Sequence, residues 1–119
     1  MPTTMVIGAS TNPERYAYKA ILKLRGNGHN VVAISNREGE LNEVKFMKPF
    51  PDIKGIDTVT LYINPGIQKS YYEYIINLKP RRVIFNPGTE NEEFENLLKE
   101  NNIEPVEACT LVMLSIGVY

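Results

Sequence analysis

The fold of this chain is decided by the stretch Met5-Val6-Ile7-Gly8-Ala9-Ser10-Thr11-Asn12-Pro13. A short apolar run, typical of a buried strand, stops at a glycine and is followed by polar residues that favour a turn. Asn12-Pro13 then predicts the start of a helix, because Asn caps free backbone N–H groups and Pro at the first helical position loses no hydrogen bond. A strand, a tight turn and a helix in this order predict a βαβ unit.

The rest of the chain repeats this alternation. After the turn, Ala17, Ala20, Ile21 and Leu24 recur with the period of a helix and form one apolar stripe. We therefore predict an α/β protein with a Rossmann-like three-layer fold, formed by a single domain over residues 1–119. Its five-stranded parallel sheet is expected in the order 3-2-1-4-5. The predicted strands are, in chain order, Met5–Ile7, Val31–Ile34, Thr58–Ile63, Arg82–Phe85 and Ile103–Val106.

Two segments carry no clear periodic pattern. Residues 36–57 are interrupted by Pro49, Pro51 and Gly55, and no confident helix is predicted there. The structure of the apolar segment that ends the chain is left open. The run from Thr89 to Glu92, by contrast, has the Ser/Thr-x-x-Glu spacing of a capping box and predicts the start of a helix.

Composition narrows the possible functions. Of the 119 residues, 43% are hydrophobic and 23% are charged, as in one ordinary folded domain. Thirteen basic and fourteen acidic residues give a net charge of -1, so no basic field is available to bind nucleic acid. One cysteine, Cys109, and one histidine, His29, are too few for a disulfide framework or a zinc site. A reducing compartment is therefore expected.

We expect a cytoplasmic protein without membrane contact. The chain begins with no basic leader, and its longest apolar stretch, 111–119, is shorter than the ~20 residues that cross a bilayer. Whether the chain forms a homo-oligomer or docks on a protein partner stays open.

The predicted fold places a binding site at the carboxyl ends of the strands, where the strand order reverses. In the predicted order the first and fourth strands are neighbours, so the loop 8–12 would face the loop 86–89. Both loops precede predicted helices, and the N-terminus of a helix offers free N–H groups and a partial positive charge. The sequence therefore predicts a cradle for an anion such as a pyrophosphate.

The residues of these loops favour some nucleotides over others. The Gly-x-Gly-x-x-Gly pattern of NAD-binding proteins keeps only Gly8, since Ser10 and Pro13 replace the other two glycines. The second strand ends in Ser35-Asn36-Arg37 rather than in the acidic residue that binds an unmodified ribose. Arg37 instead favours a phosphorylated ribose, as in NADP or coenzyme A. The small size of the chain favours coenzyme A.

Three motifs also resemble a known family. They are Val6-Ile7-Gly8-Ala9-Ser10-Thr11-Asn12-Pro13-Glu14-Arg15, Asn86-Pro87-Gly88-Thr89-Glu90-Asn91 and Glu107-Ala108-Cys109-Thr110. Over almost its whole length the chain resembles the small stand-alone coenzyme A-binding proteins related to the nucleotide-binding domain of the succinyl-CoA synthetase alpha subunit. The phosphorylated histidine of that synthetase lies in a second domain, which has no counterpart here. The resemblance therefore carries no ligase activity to this chain.

The resemblance implies a role for each part of the site. Gly8, Ala9, Ser10 and Asn12 would meet the pyrophosphate, Asn36 and Arg37 the adenosine end, and Asn64 and Pro65 would form the outer wall near adenine. Arg15 and the loop residues Asn86, Pro87 and Gly88 complete the predicted contacts. Many relatives have Gln in that second loop, so a specific hydrogen bond from Asn86-Pro87 does not carry over.

The last predicted site residue is Cys109, which follows the fifth strand and is expected near the mouth of the crevice, within reach of a pantetheine thiol. No nucleophile–base pair is visible in the sequence, and no catalytic residue is predicted. We therefore expect a non-catalytic carrier, a sensor or a partner-docked module that binds coenzyme A or an acyl-CoA. The alternatives are an NADP-binding or acyl-transfer subunit completed by a partner protein, and a scaffold whose loops bind protein.

Overall fold

The structure is a computed structural model that describes residues 2–119. Its strands are β1 (Thr3–Ile7), β2 (Asn30–Ile34), β3 (Glu40–Leu41), β4 (Val44–Met47), β5 (Ile56–Leu61), β6 (Arg82–Phe85) and β7 (Glu104–Glu107). Its helices are α1 (Tyr16–Gly26), α2 (Pro65–Gln68), α3 (Tyr72–Leu78), α4 (Glu92–Glu100) and α5 (Thr110–Ser115), with a 3₁₀ turn, Lys69–Tyr71, between α2 and α3. The predicted α/β class is confirmed.

The predicted strand order was wrong. The sheet has seven strands in the order β3-β4-β2-β1-β5-β6-β7, and all its pairs are parallel except the β3–β4 hairpin. The predicted third strand, β5, pairs with β1 instead of lying beyond β2. That outer position belongs to β4, whose Phe46 and Met47 pair with the end of β2. The hairpin strands span two and four residues, which is too short for a periodic signal in the sequence.

This correction changes which loops meet. Because β1 lies between β2 and β5, the neighbours of the loop after β1 are the segments after β2 and after β5. The loop 86–89 therefore stands one strand further away than predicted. The carboxyl ends of four adjacent parallel strands still share one edge of the sheet.

The hydrophobic core occupies both faces of the sheet, because successive side chains of a strand point to opposite faces. On β1, Met5 and Ile7 pack with residues of α3 and α4, whereas Val6 packs with residues of α1 and α5. The predicted stripe of α1 is confirmed, since all four of its residues are buried.

Two predicted helix starts lie too early in the chain. Asn12 begins a turn rather than α1, since its carbonyl and its side-chain oxygen accept the amides of Arg15 and Glu14. The predicted capping box at Thr89 was also wrong, because α4 starts at Glu92 and Asn91 caps it by accepting the amide of Phe94 at 3.2 Å. Asn91 is at least as favourable an N-cap residue as Thr89 on chemical grounds.

The apolar end of the chain, for which no structure was predicted, forms α5 and returns across the sheet. The Tyr119 ring lies over the guanidinium of the buried Arg82, and its hydroxyl bonds to that of Thr4. Within residues 2–119, no helix has the length and apolarity needed to span a membrane.

Candidate functional site

One groove of about 860 Å³ crosses the carboxyl ends of β1, β2, β5 and β6. Four segments of the chain form its walls, each following one of these strands. Ten residues of the predicted site line it: Gly8, Ala9, Ser10, Asn12, Arg15, Asn36, Arg37, Asn64, Pro87 and Gly88. The structure therefore brings most of the predicted site together, despite the changed strand order.

The loop after β1 has a conformation that only glycine accommodates at its first position. Gly8 has a φ of +96°, and a Cβ there would stand 2.8 Å from the carbonyl oxygen of Tyr62. The amides of Gly8 and Ala9 both donate to the carbonyl of Ile34. These two residues shape the loop, and their amides are already engaged.

The free donors of this loop come from the residues that follow. Within the described residues, the amides of Ser10 and Thr11 donate to no protein group. The Ser10 hydroxyl accepts the amide of Asn12, which fixes the turn. No side chain caps the first turn of α1, whose N-cap residue is Arg15, so the N–H groups of this turn are also unpaired among the described residues. The loop 86–89, which was predicted to face these amides, follows β6 and is separated from them by β5.

The segment after β2 forms the second wall. It lies against the first loop, because a Cβ on Gly39 would stand 2.9 Å from Cγ2 of Thr11 and 3.0 Å from the Phe46 ring. Lys48 donates to the carbonyl of Asn36 and ties this segment to the end of β4. The β3–β4 hairpin therefore supports the wall that carries Arg37.

The charges in the groove are balanced. Arg15 and Arg37 line it together with Glu14 and Glu38. Within residues 2–119 the one ion pair is that of Arg81 and Asp57, so both groove arginines are free of carboxylate partners. Since the lining has no net positive charge, its positive potential is local, at the free amides and at each arginine.

The remaining walls follow β5 and β6. Asn64 caps α2 by accepting the amide of Ile67, whose side chain is 49% exposed in the groove. Beyond it, Pro87 and Gly88 stand at the far end, and the amide of Gly88 donates to the Glu90 carboxylate at 2.9 Å.

Three residues of the predicted site do not line the groove. Pro65 is exposed beside it at the start of α2. Cys109 is half-buried at the N-cap of α5, outside the groove lining. Asn86 is 3% exposed and lies beneath its loop.

The side chain of Asn86 is fully engaged within the protein. Its amide nitrogen donates to the Thr60 hydroxyl and to the Leu61 carbonyl, and its oxygen accepts the amide of Thr110. No side-chain group is left for a ligand, so Asn86 joins β5, β6 and α5.

Several groove residues were not predicted, because nothing in the local sequence marks them. They are mostly apolar or aromatic and include Tyr16, Phe46, Tyr62, Ile67 and Tyr71. Burial raises the pKa of Tyr62 to about 12, so this phenol stays protonated at neutral pH. Its hydroxyl has no hydrogen-bond partner among the described residues.

A second cavity, of about 390 Å³, lies between α3 and the segment Phe50–Gly55. Its charged residues are Asp52 and Lys54, and it has neither an arginine nor a helix start. The larger groove is therefore the better candidate for an anionic nucleotide.

Comparison with known proteins was made with the whole chain. Residues 2–115 match the family described as CoA binding domain. No curated protein matches the chain.

Solved structures share its architecture along nearly the whole length. One described as an uncharacterized protein is 52% identical, with a TM-score of 0.96 and coverage of 100% of this chain and 98% of that one. A hypothetical protein from Pyrococcus horikoshii OT3 is 26% identical, with a TM-score of 0.86 and coverage of 95% and 81%. A protein from Thermus thermophilus, cell-free ID.343, is 24% identical, with a TM-score of 0.87 and coverage of 99% and 90%, which shows the fold alone.

Proposed function

The chain belongs to the CoA binding domain family, and on this premise we propose that it binds coenzyme A or an acyl-CoA in the groove over β1, β2, β5 and β6. The resemblance stated from the sequence is thereby confirmed. The observation that carries the proposal is that the free amides of Ser10 and Thr11 and an unpaired Arg37 line the same groove of about 860 Å³.

Each part of the ligand has a matching wall. The free amides and the first turn of α1 suit the pyrophosphate, because a helix N-terminus stabilises negative charge. Asn36 and Arg37 suit the adenosine end, where the guanidinium would pair with the 3′-phosphate. Asn64 would form the outer wall near adenine, with Pro65 exposed beside the groove. The pantetheine arm would then run towards Pro87 and Gly88.

We propose a non-catalytic role, as a carrier, a sensor or a module docked on a partner. The groove lining contains no histidine, cysteine, lysine or aspartate. Its two serines, Ser10 and Ser35, use their hydroxyls to accept the backbone amides of Asn12 and Arg37, and neither has a neighbouring base among its hydrogen-bond partners.

The alternative is an NADP-binding or acyl-transfer subunit completed by a partner protein. Arg37 favours this alternative as far as NADP is concerned, because a guanidinium at the end of the second strand also suits a 2′-phosphate. The balanced groove charge does not discriminate between the two phosphates.

Native mass spectrometry with equal concentrations of CoA, NADP and NAD separates these proposals. We expect a complex with one CoA per chain and little NADP or NAD. Preferential binding of NADP would favour the alternative, and the absence of any complex would overturn the proposal.

A further inference from the structure

We propose that Gln68 is a positioning residue that fixes the width of the groove, an inference that rests on the proposed binding of CoA. Gln68 is the last residue of α2 and is fully buried. Its side-chain nitrogen donates to the carbonyl of Ile63 at 2.9 Å and to that of Thr89 at 2.8 Å. Ile63 and Thr89 line the groove on the segments after β5 and after β6. One amide therefore joins two walls of the site.

The orientation of this amide is fixed by its third bond. The Gln68 side-chain oxygen accepts Nδ2 of Asn91 at 2.9 Å. If the amide were reversed, its oxygen would face two carbonyl oxygens and its nitrogen would face a donor, which is unfavourable at all three contacts. Asn91 itself is held in place, because it caps α4 and also donates to the Tyr72 hydroxyl.

Burying the Gln68 amide destabilises the fold unless all three of its hydrogen bonds are formed. A buried amide stabilises a fold only when its donors and acceptor are satisfied, and the core around Gln68 would otherwise accept an apolar side chain. Both amide hydrogens of Gln68 bond to the groove walls, and neither bonds within its own helix. This pair of hydrogen bonds, the Gln68 bridge, therefore fixes the distance between the two walls.

The consequence concerns ligands of different length. CoA would touch the segment at Arg37, the loop after β1 and the walls joined by Gln68. Adenosine 3′,5′-bisphosphate, which is the adenosine end of CoA, would reach Arg37 without spanning to Thr89. Loosening the bridge should weaken the binding of CoA more than that of the bisphosphate.

The test compares the dissociation constants of both compounds for the native chain and for Gln68→Glu, by isothermal titration calorimetry. Burial and two carbonyl oxygens raise the pKa of the introduced carboxyl, so it stays protonated and can donate to only one wall. We expect the CoA affinity to fall about tenfold, which is the size of one lost hydrogen bond. The bisphosphate affinity should change by less than about twofold. Asn101→Asp is the control, since it removes an exposed amide-to-carbonyl bond far from the groove.

A second variant keeps the test decisive if Gln68→Glu does not fold. Asn91→Asp retains the oxygen that caps α4 but removes the donor that orients Gln68, so we expect the same change in the affinity ratio. An unchanged ratio of CoA to bisphosphate affinity in a folded variant would overturn the role of Gln68. Failure of the native chain to bind either compound would instead overturn the proposed function.

Discussion

The carbonyl oxygen of Tyr62 lies so close to Gly8 that a Cβ on Gly8 would stand only 2.8 Å from it. This contact joins the end of β1 to the residue after β5 at the centre of the groove, and it occurs where the backbone φ of Gly8 is +96°. Backbone, rather than a flexible side chain, blocks the position. The first loop of the site therefore depends on the absence of a side chain at residue 8.

Gly8→Ala should destabilise the protein by roughly 1–3 kcal/mol, because the strained φ and the contact with Tyr62 act together. The matched control is Gly26→Ala, where a Cβ meets nothing within 4 Å at the end of α1. That change should be neutral or stabilising by up to about 1 kcal/mol. Urea denaturation measures both, and equal stabilities for the two variants would contradict the account of Gly8.

Arg37→Ala should lower the affinity for CoA about fivefold, a modest change because the guanidinium is exposed and its ion pair would be screened by water. The native chain should also prefer CoA to dephospho-CoA, and the variant should bind the two equally. Lys99→Ala removes an exposed cation outside the groove and should leave both affinities unchanged. Equal binding of the two ligands by the native chain would remove Arg37 from the 3′-phosphate.

Asn86→Ala should act mainly on stability. It leaves the amide of Thr110 and the carbonyl of Leu61 without their buried partner, at a cost of about 2–4 kcal/mol in the free energy of unfolding. Asn101→Ala, which loses one exposed bond, should cost less than about 1 kcal/mol. A loss of CoA affinity with unchanged stability would instead make Asn86 a ligand contact.

Tyr62 should contribute to a loss of stability at alkaline pH. Its pKa is raised from 10.0 to about 12 in the folded state. The protonated phenol therefore contributes to the free energy of unfolding in full below pH 10, and this contribution declines as the pH rises to about 12. Over that interval the decline amounts to about 2 kcal/mol. Tyr62→Phe should leave stability at pH 7 nearly unchanged, since the hydroxyl has no hydrogen-bond partner, and should flatten this part of the curve. A parallel alkaline decline in both proteins would contradict the raised pKa.

The sequence was informative where a pattern is local. The alternation of apolar runs and helical periods predicted β1, α1 and the parallel sheet, and the loop motifs predicted most of the groove lining. The β3–β4 hairpin escaped because its strands are too short to show a period. Without this hairpin, the prediction placed β5 beyond β2, in the position that β4 occupies.

Long-range contacts explain the other differences. Asn86 stands in a loop motif, and only the position of Thr110, 24 residues away, makes it a buried connector. Gln68 stands beside exposed residues in the sequence, yet it is buried and its side chain donates to the carbonyl of Thr89, 21 residues away. Neither fact is encoded in the few residues around these positions.

The central claim is that CoA binds in the groove over the carboxyl ends of β1, β2, β5 and β6. The most direct test is a titration of the isotopically labelled chain with CoA, followed through its backbone amide signals by nuclear magnetic resonance. We predict that the largest shifts occur at Ser10, Thr11, Arg37 and Gly88, and that the signals of the cavity at Phe50–Gly55 change little. Shifts confined to that cavity, or no shifts at all in the presence of excess CoA, would contradict the claim.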